Sequence, residues 1–252
     1  MRTLIPLAAS LLAFPLAAQS DPCLDAENPV LCALNSPGDA PLSRYPGVRT
    51  CYVTPYGDRC APRLTDDEVG RYLMEADRLL SREDFSSAAD TLNVLIAARP
   101  EDTFFRGLRG HALVQTGDVA EGMWEFREAL RIDSLDAGVY YLRAEAKSGL
   151  GDHVGAVDDV LEALDLDDSQ TTFYVLGATS AALIGDRTWM LAFSEGGLRA
   201  SDGACAECHM YLGLAKTDSN PGRTRSEGCR HLSRAGELGL SEAYRHIRDL
   251  CQ

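Results

Sequence analysis

Residues 140–167 read YYLRAEAKSGLGDHVGAVDDVLEALDLD, and the order of residue types along them decides the fold. Two long helical patterns flank a short break at Gly151-Asp152. The pattern after the break carries Ala156, Val160, Ala163 and Leu164 at helical spacing, so one face is apolar. The pattern before it carries a small residue, Ala144, at a place where two helices can approach closely.

Working outward, the same arrangement recurs. Residues 104–134, FFRGLRGHALVQTGDVAEGMWEFREALRIDS, break at Gly117-Asp118, and a further Gly-Asp pair stands at 185–186. The glycines at 117, 151 and 185 are equally spaced, which defines the period, and Asp84-Phe85 occupies the corresponding place one period earlier. The helix after each break repeats the apolar stripe through Ala88, Leu92 and Leu95, then Phe126, Ala129 and Leu130. Ala76, Gly110, Ala144 and Ala178 form a small-residue series with the same period. One helix pair cannot hide its apolar face, but stacked pairs share a continuous core and curve into a superhelix with a concave side.

With period, break and small-residue positions in phase, segments 69–102, 103–136, 137–170 and 171–204 resemble tetratricopeptide repeats. Arg99-Pro100 supplies the proline that this family often has at a repeat boundary. The fourth copy departs most, with Trp189-Met190 and Ser194 at sites that are normally core or small. A fifth, stretched copy runs over 205–240, its turn replaced by Lys216-Thr-Asp-Ser-Asn-Pro-Gly222, and residues 241–251 make a last amphipathic helix that caps the array. The resemblance implies an all-α, right-handed superhelix of stacked helix-turn-helix repeats that binds another protein or peptide and has no catalytic activity. The family's inner-face positions map onto Phe104, His111, Gln115, Tyr141, Glu145, Thr172 and Thr179. Tyrosine and phenylalanine there suit capture of a peptide or helix, and they equally fill gaps between repeats. The carboxylate-clamp subset of the family uses Lys and Asn on this face. Neither occurs at these positions, so the resemblance does not extend to chaperone-tail recognition.

Two further pairs follow from the period. Arg109 and Arg143 lie one period apart, and Glu125 and Asp159 stand sixteen residues after each, on the partner helix. The expected pairs, Arg109–Glu125 and Arg143–Asp159, are structural and partly buried rather than ligand-binding.

The remaining sequence sets the address and the ends. Residues 1–18 read as a secretory signal peptide: Arg2 supplies the positive start, residues 4–18 are an uncharged apolar run, and Ala17, Ala18 and Ser20 supply small residues for cleavage after Ala18 or Ser20. The run is too short for a membrane span, and Cys23 follows Ser20-Asp21-Pro22, which is not a lipidation sequence. Cleavage moves the net charge from −14 to −15. The mature chain is expected to be secreted, into the periplasm of a Gram-negative cell, with no membrane span. Residues 19–65 carry seven prolines and are expected to be irregular. Within them Cys51-Tyr-Val-Thr-Pro-Tyr-Gly-Asp-Arg-Cys60 reads as a small looped ribbon. Residues 66–252 form the helical repeat domain.

Eight cysteines, all beyond residue 18, suit disulfides in an exported chain. Short loops favour Cys23–Cys32 and Cys51–Cys60, with crossed pairings left open. Antiparallel helices bring the start of the last repeat's second helix to the end of the cap helix, which pairs Cys229 with Cys251 and leaves Cys205 with Cys208. Cys205-Ala-Glu-Cys208-His209 also matches the attachment signature of c-type haem, the alternative reading of this segment. Zinc through Cys205, Cys208, His209 and Cys229, or a redox CxxC at a helix start, are further readings. Neither is favoured, because exported thiols are oxidised and no alternating strand-and-helix pattern supports a thioredoxin-like fold.

Composition closes off other classes. The chain has 252 residues, 45% apolar and 25% charged, enough for a sizeable core. With 38 acidic and 24 basic residues, a net charge of −14 argues against nucleic acid and anionic lipid as partners. Only Lys147 and Lys216 are lysines. No nucleophile elbow, phosphate-cradling loop or zinc-protease motif occurs, and the acidic runs at Asp158-Asp159 and Asp165-Leu-Asp-Asp168 lack an EF-hand loop. No metal, cofactor or catalytic residue is expected.

Overall fold

Six of the helices start where an oxygen-bearing side chain holds the free N–H groups of a first turn. Thr65 does so with a capping box to Glu68. Asp84, Asp102, Asp136, Asp152 and Asp186 do so with carboxylates that accept from N–H groups two or three residues on. The Gly-Asp break therefore has two physical parts. Glycine takes the left-handed conformation that ends one helix, at φ 96°, 85° and 80° for Gly117, Gly151 and Gly185. The aspartate begins the next.

The structure is a computed structural model that describes residues 48–52, 55–57, 59–62, 64–217 and 223–251, with the backbone alone for 48–52, 59–62 and 223–225. The signal-like stretch 1–18 and the pair Cys23–Cys32 lie outside the described residues, as do the side chains of Cys51 and Cys60. The looped ribbon expected between those two cysteines is a two-stranded sheet of β1 (Val48–Tyr52) and β2 (Arg59–Pro62).

Eleven helices follow among the described residues: α1 (Asp66–Leu80), α2 (Phe85–Ala98), α3 (Thr103–Thr116), α4 (Val119–Ile132), α5 (Ala137–Gly149), α6 (His153–Leu166), α7 (Thr171–Ile184), α8 (Arg187–Ala200), α9 (Ala206–Thr217), α10 (Arg223–Glu237) and α11 (Glu242–Leu250). They pair as hairpins α1–α2 through α9–α10, and α11 packs on α10. The first helices of successive hairpins also touch one another, α3 with α5, α5 with α7 and α7 with α9. This contact makes the hairpins a stack and gives it an inner wall built from first helices. β2 packs against α2.

The core is the one the period specifies. Ala76, Ala144 and Ala178 are fully buried, as are Ala88, Leu92, Leu95, Phe126, Ala129, Ala156, Val160 and Ala163. At Gly110 the approach is close: a Cβ there would sit 3.0 Å from the Gly122 carbonyl oxygen, and one on Gly122 would sit 2.6 Å from that of Gly110. In the fourth copy Ser194 is fully buried in place of the large residues Leu92, Phe126 and Val160. The neighbouring Phe193 fills the space instead, against Gly177, where a Cβ would meet its ring at 2.8 Å.

The fifth copy departs from strict period twice, by an extra residue before α9 and by the stretched connection between α9 and α10. Asp202 and Gly203 both take left-handed backbone, at φ 50° and 78°, and insert the extra residue before α9. The small residue facing the partner helix is therefore Gly213, one position beyond the place that strict period after Ala178 would give. A Cβ on it would stand 2.9 Å from the Gly228 carbonyl.

Candidate functional site

Both expected ion pairs are present, and they belong to larger clusters. Arg143 reaches Asp159 through Nε at 2.8 Å and Nη2 at 2.6 Å, and Lys147 adds a third contact at 2.8 Å. Arg109 bonds to Glu125, whose other oxygen takes Arg106 Nη1 at 2.9 Å, while Arg109 also reaches Glu121 at 2.6 Å. Arg109 and Glu125 are fully buried rather than partly so. These groups tie the two helices of a hairpin together and do not open onto the inner wall.

The inner wall carries a cleft of about 390 Å³. Tyr141 and Glu145 line it from α5; Thr171, Thr172, Val175, Leu176 and Thr179 from α7; Glu207 from α9, with Cys205 just ahead of that helix. Tyr141 stacks on Phe173 with ring centroids 5.1 Å apart. Burial first, and the nearby Glu145 carboxylate second, push its hydroxyl up to about 12, so it remains a hydrogen-bond donor at any physiological pH. The Thr179 hydroxyl donates to the Val175 carbonyl at 2.8 Å and shares a bond with the Tyr211 hydroxyl at 2.9 Å, which joins α7 to α9.

Of the seven residues assigned to the groove from sequence, the structure places Tyr141, Glu145, Thr172 and Thr179 in this one cleft. His111 lies next to it, 3.6 Å from Glu145. Gln115 reaches the same imidazole at 3.3 Å, and Phe85 meets it edge-on. Burial holds the His111 pKa below the usual histidine value, with Glu145 opposing the shift. Phe104 stands apart: it is exposed at the start of α3, beside Phe105, and lines no part of the cleft. The sequence reading missed Thr171, Val175, Leu176, Cys205 and Glu207. The period offered two of them. Val175 stands one period after Tyr141, and Glu207 stands one period after Thr172 once the extra residue before α9 is counted.

Beyond the cleft, the C-terminal cysteines pair as expected, Cys205 with Cys208 and Cys229 with Cys251. Cys205 precedes the first residue of α9, and its sulfur accepts a hydrogen bond from the Cys208 N–H at 3.0 Å, the place a capping oxygen takes elsewhere. Cys208 is fully buried against α8: a Cβ on Gly197 would sit 2.5 Å from its sulfur. The two sulfurs that haem attachment would need are thus bonded to each other, one of them sealed. His209 faces His231, with Nδ1 atoms 2.9 Å apart and rings stacked at 5.2 Å. Its Nε2 lies 3.3 Å from the Gly203 carbonyl. Among the described residues no group of three or more His, Cys, Asp or Glu is arranged to hold a metal ion, and no helix is long and apolar enough to cross a membrane.

Comparison with solved structures settles the fold. PilF of Pseudomonas aeruginosa superposes with a TM-score of 0.60 at 14% identity, over 69% of this chain and 78% of that one. YrrB, a TPR protein with an unusual peptide-binding site, superposes with a TM-score of 0.53 at 16% identity, over 71% of this chain and 91% of that one. The chain has the tetratricopeptide-repeat fold. No protein-family profile matches it. Among curated proteins it is similar to DnaJ homolog subfamily C member 3 of Gallus gallus, 26% identical over 101 residues, which are 40% of this chain and 20% of that protein's length. The chain thus spans a fifth of that relative.

Proposed function

We propose that this repeat array is an exported, non-catalytic scaffold whose cleft between α5, α7 and α9 takes a segment of a partner protein. One observation carries the reading: side chains from three successive first helices converge on a single concave site that combines an aromatic wall, apolar Val175 and Leu176, and hydroxyl and carboxylate groups at its edges. The peptide-binding site named for YrrB makes the same use of this fold a physical precedent. Glu145 and Glu207 on the walls, within a chain of net charge −14, favour a partner segment bearing positive charge. Export into an oxidising compartment, the periplasm of a Gram-negative cell, rests on the signal-like start, the even number of cysteines and the two disulfides among the described residues.

Affinity capture from a native envelope fraction, followed by titration of the captured partner, tests this. Tyr141→Ala should weaken binding roughly tenfold, as loss of an aromatic anchor does, while circular dichroism stays unchanged. Binding should also fall as salt rises. Equal affinity of wild type and Tyr141→Ala removes the cleft assignment. Phe104→Ala, outside the cleft, separates a contact confined to α5, α7 and α9 from one that runs further along the inner wall.

A further inference from the structure

We infer that the Cys205–Cys208 disulfide is a covalent latch for a partner segment that carries a reduced cysteine. The inference rests on the cleft reading above and adds the chemistry of what the cleft receives.

Four observations carry it. First, Cys205 lines the cleft that Tyr141, Glu145 and Glu207 also line. Second, the two residues differ in access: both are buried, but Cys208 is 0% exposed and sealed under Gly197, whereas Cys205 is 6% exposed and lines the cleft, so Cys205 is the one that lies toward an incoming thiolate. Third, the bond does little to hold the fold. Disulfide stabilisation grows with the loop that is closed, and this one spans 3 residues within a turn already fixed by the His209 N–H to Cys205 carbonyl bond at 3.1 Å. Cys229–Cys251, by contrast, spans 22 residues and joins two helices. Fourth, both cysteines stand at the N-terminal turn of α9, where the positive end of the helix dipole favours negative charge on sulfur.

The step balances without any outside oxidant. The partner's thiolate attacks Cys205 Sγ and forms a new S–S bond. The Cys205–Cys208 bond breaks, and its electron pair leaves on Cys208, which takes up a proton. The two-electron oxidation of the partner sulfur is matched by reduction of Cys208. Attack by Cys208 on the mixed disulfide releases the partner and restores the starting bond, so the latch is reversible.

The test uses the full-length oxidised protein with two thiol probes, reduced glutathione and a basic peptide with a single cysteine. Acid quench, alkylation and peptide mapping then locate each adduct. The expected result is a mixed disulfide at Cys205 with Cys208 alkylated and Cys229–Cys251 intact. The peptide should react about tenfold faster than glutathione, because binding raises its local concentration. Tyr141→Ala should remove the peptide's advantage over glutathione. No adduct at Cys205 with either thiol, or opening of Cys229–Cys251 first, overturns the latch and leaves the cleft reading standing. Reaction at Cys205 with no advantage for the peptide in wild type overturns the cleft's part and the function proposed above. Because both decisive readouts come from the native sequence, they do not depend on a cysteine variant folding.

Discussion

At the scale of single residues, the period acts as a backbone rule that most copies obey and one breaks. Glu83 occupies the place that Gly117, Gly151 and Gly185 fill later, and it adopts the same left-handed conformation at φ 60°. A side chain in that region costs about 1 kcal/mol relative to glycine. Glu83→Gly should therefore raise stability by about 0.5–1 kcal/mol, read as a higher urea midpoint; a lower midpoint would show that the side chain is supported by contacts of its own. The facing histidines make a second single-residue case. Burial first, then the charge of His209, hold His231 down to about 4 against an ordinary value of 6.5, and burial lowers His209 as well. With Nδ1 atoms 2.9 Å apart, one ring must donate and the other accept, so the folded state favours neutral imidazoles. The unfolded chain then binds more protons between the two values. The contribution of this pair is present above pH 6.5 and is lost as pH falls toward about 4. Denaturant titrations along that range should show stability falling, and His231→Gln should flatten the slope relative to wild type. Parallel slopes would remove the histidine pair as its source.

At the scale of helices and hairpins, what sequence could show depended on regular spacing. Helix order, turns and core stripe were legible because each is set by local backbone preference repeated once per period. Arg109–Glu125 and Arg143–Asp159 were legible because both pairs share a sixteen-residue offset. Arg106, Glu121 and Lys147, which complete those clusters, follow no repeated offset and emerged only from packing. The His209–His231 contact spans a stretched connection with no copy elsewhere in the chain. In the cleft, four residues on α5 and α7 could be read from family positions. Phe104, at an equally valid family position, sits one first helix earlier, on α3, and the cleft does not extend to it. The buried cluster between α3 and α4 yields a sharp expectation. Glu125→Gln keeps the volume but leaves Arg106 and Arg109 facing an uncharged amide. It should cost about 3–5 kcal/mol in denaturant unfolding, far more than the loss of an exposed pair such as Arg131–Glu128. A cost below about 1 kcal/mol would mean that water or a rearranged Glu121 takes over the charge.

At the scale of the whole array, stability is a sum over neighbours, so the last hairpin has support on one side only. α11 covers that side with Ile247, Leu250 and Ala243 against Leu232 and Ala235, and Cys229–Cys251 fastens it at its far end. Closing a loop of this size is worth about 3 kcal/mol. Replacing both cysteines by serine should speed amide exchange in α10 and α11 well before it affects α3 to α6. Uniform acceleration along the chain would instead mean that the array unfolds as one unit.

The covalent bond at one end also gives the molecule a mechanical polarity. Under tension a stack of hairpins unzips from whichever end yields first. The α10–α11 junction cannot peel while its sulfur bridge holds, so a pull on the C-terminal end has to lift α10 and α11 together rather than strip α11 first.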